Sequence, residues 1–114
     1  MKTALDTAKA WLPGVTENSL FGGGEIYYLA GLIGHFSRNG EQVTPYRILS
    51  ALDQHDPETL ATMSVLGDPE NSGMLGFDGR PSLVLAETHA RLLKSHLNTY
   101  LWEKEQQNQE VCNG

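Results

Sequence analysis

Residues 44–67 read TPYRILSALDQHDPETLATMSVLG, and the punctuation of this stretch decides the fold class. Twice a capping side chain stands directly before a proline: Thr44 before Pro45, and Asp56 before Pro57. A Thr or Asp oxygen at an N-cap accepts from backbone N–H groups that have no partner inside the helix, and proline at the first helical position gives up no hydrogen bond. The pattern predicts one helix over Pro45–Gln54, burying Ile48, Leu49 and Leu52. It predicts a second over Pro57–Leu66, burying Leu60, Met63 and Leu66, with Gly67 as its stop.

Toward the N-terminus the same periodicity continues. Ile26, Leu29, Ala30, Ile33 and Phe36 recur at helical spacing over Glu25–Arg38, and Asn39-Gly40 ends that helix with residues that tolerate a left-handed backbone. Tyr27, Tyr28 and Leu32 occupy faces that a surface helix gives to charges, so this helix is either central to the fold or partly covered by a partner. Gly31 and Gly34 lie three apart beside Ala30. Glycine inside a helix costs about 1 kcal/mol relative to alanine, a cost that close helix packing offsets, first at an internal crossing and second at a homodimer crossing. A short helix from Ala4 to Leu12 precedes these elements, capped by Thr3, with Leu5, Ala8, Trp11 and Leu12 on one face and Pro13-Gly14 as its stop; residues 15–24 read as a loop.

Toward the C-terminus, residues 68–81 form a long loop rich in turn residues that nevertheless carries Met74, Leu75 and Phe77. Those side chains either tuck over the core or form a binding surface. Ser82 then caps the longest helix, reaching to about Glu105, on which Leu85, His89, Leu92, Leu93, His96, Leu97, Tyr100 and Leu101 make a wide apolar stripe. The expectation is an all-α fold of about five helices: a single domain over residues 1–105, then a polar flexible tail over 106–114.

Composition narrows the function. Fourteen acidic residues against eight basic ones give a formal charge of -6, and Arg38, Arg47, Arg80, Arg91, Lys94 and Lys104 are scattered. Such a field repels phosphate backbones, so direct nucleic-acid binding is not expected. A helix-turn-helix reading of residues 45–66 fails for the same reason, because Glu58–Leu66 offers no Arg or Lys to reach phosphates. No apolar run approaches the roughly 20 residues that span a bilayer, and no basic, apolar and cleavable leader opens the chain, which points to the cytoplasm. The single cysteine, Cys112, allows no internal disulfide.

Catalytic and cofactor patterns are sparse. Gly22-Gly23-Gly24 precedes a helix, but no Lys-Ser or Lys-Thr follows and Glu25 sits where a phosphate would bind. His89 and His96 lie seven apart on one helix, roughly 10 Å by the helical rise, too far to share one metal ion, and His35 and His55 belong to no constellation. Ser72 and Ser82 lack the Gly-x-Ser-x-Gly setting of a nucleophile elbow. No metal and no cofactor are expected.

Residues 70–89, ENSGMLGFDGRPSLVLAETH, carry Gly-Phe and Gly-Arg-Pro followed by a Glu-x-His pair. The segment resembles the catalytic segment of phage N-acetylmuramidases. The resemblance implies a peptidoglycan hydrolase with Glu70 as the acid and Glu87 and His89 as the pair. Read from its own chemistry, Glu70 lies in a polar turn, whereas glycoside hydrolysis needs a carboxyl group whose pKa is raised by burial.

What the residues favour is a non-enzymatic, protein-binding regulator. It would be a homodimer that inhibits or sequesters a larger protein, such as a DNA-binding transcription regulator, in the manner of an antiactivator; the alternatives are the muramidase fragment and a structural subunit of a larger assembly. Interface candidates are Tyr27, Tyr28 and Leu32, then Met74, Leu75 and Phe77 in the loop, and Tyr100 and Trp102 late in the last helix. Aromatic anchors dominate interface energetics.

Overall fold

A computed structural model describes residues 3–15, 24–67 and 83–113. Five helices, and no strand among the described residues, make the fold all-α: α1 (Ala4–Trp11), α2 (Gly24–Arg38), α3 (Pro45–Gln54), α4 (Pro57–Gly67) and α5 (Leu83–Asn113). The caps do what their chemistry demands. Thr3 and Asp6 form a reciprocal box, with the Asp6 N–H donating to Thr3 Oγ1 at 3.1 Å and the Thr3 N–H to Asp6 Oδ2 at 3.3 Å. Thr44 Oγ1 accepts from the Arg47 N–H at 3.2 Å, and Asp56 Oδ1 from the Thr59 N–H at 2.7 Å. Hydrogen bonds from the Thr59 backbone and side chain hold the Asp56 carboxyl below its ordinary pKa, with nearby His55 adding to the effect. Gly40, at φ 83°, turns the chain out of α2 in the left-handed region where a side chain would be strained.

The centre of the molecule is α2. Its Ile26, Tyr28, Leu29, Ala30, Leu32, Ile33 and Phe36 are all buried, because α1, α4 and α5 each pack against it. Helix α1 contributes Ala8 to the core and is followed there by its C-cap Leu12, α3 contributes Ile48 and Ala51, and α5 a stripe of Ala86, His89, Leu93 and Leu97. Most of this largely apolar helix is thus covered by its own chain, with Tyr27, Ser37 and Arg38 left exposed.

The closest approach is the crossing of α2 and α4. A Cβ on Gly34 would stand 2.9 Å from the Gly67 carbonyl oxygen, and one on Gly67 would overlap the Gly31 carbonyl oxygen and lie 2.6 Å from the His35 nitrogen. The buried hydroxyl of Ser64 donates to the Tyr28 carbonyl at 2.9 Å across the same contact. Gly31 and Gly34 therefore serve an internal crossing. Gly67 is the last residue of α4, where the sequence placed the stop, and it is also needed for space, while Arg38 Nη1 donates to the Leu66 carbonyl at 2.9 Å and caps the negative end of the helix.

This crossing also rotates α4 relative to the sequence expectation. Its buried residues are Leu60, Ala61, Ser64 and Gly67; Met63 is half-buried and Leu66 is 60% exposed. Apolar periodicity favoured the large side chains, whereas backbone proximity to α2 favoured the small ones. Helix α5 runs to Asn113, where a flexible tail was expected from residue 106. Residues 103–113, EKEQQNQEVCN, contain no Gly or Pro to stop it and are rich in Glu, Gln and Lys, which lose little rotamer freedom in a helix.

Candidate interaction surface

The sequence-derived candidates divide into three groups. Tyr28 and Leu32 are completely buried within the chain and present nothing to a partner; both pack in the core beneath the helices around α2. Burial pushes the Tyr28 phenol well above its ordinary pKa. Met74, Leu75 and Phe77 lie outside the described residues. Tyr27, Tyr100 and Trp102 remain at the surface. Tyr27 is 43% exposed on α2, Tyr100 is half-buried against the end of α1, and Trp102 is 61% exposed. Residues two apart on a helix point about 200° away from one another, so Tyr100 and Trp102 serve different faces of α5.

Besides Leu66, which was expected in the core, two exposed apolar side chains were missed by sequence reasoning. Tyr46, 63% exposed, sits at the second position of α3, off the face of Ile48 and Leu52; Val84, 76% exposed, opens α5.

From Trp102 onward the described side chains of α5 are exposed except Gln106, which is half-buried. On the inner side, the outer turns of α5 and the end of α1 enclose two adjoining hollows of about 120 and 230 Å³, which share Pro13, Tyr100 and Glu103. Leu12 and His96 belong to the first hollow, and Ala10 and Lys104 to the second. Lys104 Nζ lies 5.6 Å from the centroid of the Tyr100 ring, within cation–π range.

A second polar feature is buried at the start of α2. Glu25 is 2% exposed and His89 6%, and the Tyr28 and His89 ring centroids are 6.0 Å apart. Glu25 Oε2 and the Tyr28 hydroxyl have no hydrogen-bond partner among the described residues. Gly24 lets the imidazole approach the backbone, since a Cβ there would stand 2.7 Å from His89 Cε1. Burial lowers the pKa of His89, and the Glu25 carboxylate opposes that shift only in part. The unfolded chain, with a histidine pKa of about 6.5, then binds a proton that the folded chain refuses. Stability should fall as the pH drops below about 6.5, until the folded pKa has been passed. Urea unfolding at pH 7.5 and 5.5 should show a smaller loss for His89→Gln than for the wild type, and an equal loss in both would remove His89 from the account.

Glu87 and His89 do not form a pair. Glu87 is exposed and His89 buried, on opposite sides of α5, and Glu70 lies outside the described residues. The described residues contain no group of three or more His, Cys, Asp and Glu side chains able to hold a metal ion, and no helix among them is long and apolar enough to cross a membrane. Comparison of the chain with protein-family models, with characterised proteins and with solved structures finds no match.

Proposed function

We propose that this chain acts by binding another protein: a small acidic regulator that inhibits or sequesters a larger partner such as a transcription regulator, working in the cytoplasm and as a homodimer. Trp102 carries the reading. An indole 61% exposed on the outer turns of a long helix is an expensive group to leave in water, since a large aromatic side chain gains roughly 1.5–3 kcal/mol or more on burial. Tryptophan is also among the side chains whose truncation costs interfaces most. Lone exposed aliphatic groups such as Val84 and Leu66 are ordinary on a protein surface and add nothing to the case.

Because Trp102 contributes little to the core, Trp102→Ala should leave the circular dichroism spectrum and the unfolding midpoint nearly unchanged. It should weaken the complex by roughly thirtyfold or more, the equivalent of an anchor worth about 2 kcal/mol. Undiminished affinity in that variant would dismiss Trp102 as the anchor. Sedimentation equilibrium of the isolated chain measures the homodimer separately.

A further inference from the structure

The protein-binding reading leaves the partner's chemistry open, and the hollows between α1 and α5 narrow it. Each alone is smaller than a typical cofactor or drug pocket of about 300–1,000 Å³, yet each exceeds the roughly 30 Å³ occupied by a water several-fold. That is room for a single side chain. Their walls favour a cation. Glu103 supplies a carboxylate, and Tyr100 supplies the face of an aromatic ring. Helix α1 ends at Trp11, so the negative end of its dipole opens beside Ala10 and Pro13. The position of Lys104 over Tyr100 shows that an ammonium group already occupies this ring, and Lys104 is an exposed, flexible side chain that an incoming group can displace.

We infer that the cleft between the end of α1 and the outer turns of α5 receives a basic side chain, preferentially arginine, from the partner protein. The whole chain supports this assignment with a formal charge of -6. Several of its own cations are committed internally: Arg38 to the Leu66 carbonyl, Arg47 to Glu41 at 2.9 Å and Lys94 to Asp53 at 2.7 Å. Arginine is preferred over lysine because its planar guanidinium can lie on the Tyr100 ring while its fork donates to Glu103. The apolar wall at Leu12 and Pro13 suits the methylene stem of the same side chain.

The test uses the full chain, labelled with ¹⁵N, and the probe acetyl-Leu-Arg-amide, with acetyl-Leu-citrulline-amide as its uncharged counterpart. The assignment predicts saturable amide shifts confined to residues 10–14 and 96–107. The citrulline probe should bind at least fivefold more weakly. Glu103 is exposed, so Glu103→Gln keeps the fold and should raise the arginine probe's Kd roughly fivefold. Glu58→Gln, at the start of α4, should leave it unchanged. Shifts that follow acidic residues over the whole surface, equal binding of the two probes, or no saturable binding would each overturn the assignment. This test needs no partner, so its failure leaves the protein-binding proposal standing, and a failed search for a partner leaves this result intact.

Discussion

Gly67→Ala should destabilise the fold by about 3 kcal/mol, the upper end of the usual cost of overpacking. On propensity alone the change would stabilise α4, since alanine is better than glycine in a helix by about 1 kcal/mol. Packing reverses the sign. The atoms that a Cβ would meet are the Gly31 carbonyl and the His35 nitrogen, both backbone, so no side chain can swing aside. The two helices would have to separate, stretching the Ser64 to Tyr28 hydrogen bond and the Arg38 cap on Leu66. Three other glycines make the comparison sharp. Gly34→Ala meets the Gly67 carbonyl and should also destabilise, by less; Gly40→Ala should cost about 1 kcal/mol through its left-handed backbone. Gly14→Ala faces open space and should change stability by no more than about 0.5 kcal/mol. Urea unfolding ranks the four. A Gly67→Ala chain as stable as the wild type would mean that α2 and α4 do not cross at this point.

Leu32→Ala should lose about 2–5 kcal/mol, the range for deleting a fully enclosed leucine side chain. A domain of this size has only about 5–15 kcal/mol of stability, so the variant would unfold tens of degrees earlier or not fold at all. The result separates two readings of the same residue. Were Leu32 an interface residue, its truncation would weaken partner binding and leave the isolated chain intact. Enclosure between α2 and its neighbours demands the opposite order, with stability lost first. The unfolding midpoint of the isolated chain decides between them.

The behaviour of Leu32 and Tyr28 also shows how far residues alone could lead. Their positions on α2 announced a helix without a polar face, and that pattern is equally compatible with burial inside the chain and burial under a partner. Only the placement of α1, α4 and α5 around α2 resolves it. Helix starts were legible because caps are local: Thr3, Thr44 and Asp56 act on backbone atoms three residues away. The orientation of α4 was not legible in the same way. Its inward face is chosen by a contact with α2 some thirty residues earlier in the chain, and the small side chains of Ala61, Ser64 and Gly67 carry no hydrophobic signal strong enough to announce it. For the surface, Trp102 was named as an aromatic anchor late in the last helix, and the structure leaves it exposed. The cleft beside Tyr100 joins residues 10–14 to residues 96–107, a tertiary juxtaposition with no trace in either segment.

The claim that this chain works by holding another protein is tested most directly by affinity capture of the tagged chain from its native cell lysate. Mass spectrometry then measures the stoichiometry of whatever is retained after washing. The account predicts one partner protein at near-equal amounts. Recovery of the chain alone, from lysate in which the candidate partners are demonstrably expressed, would contradict it.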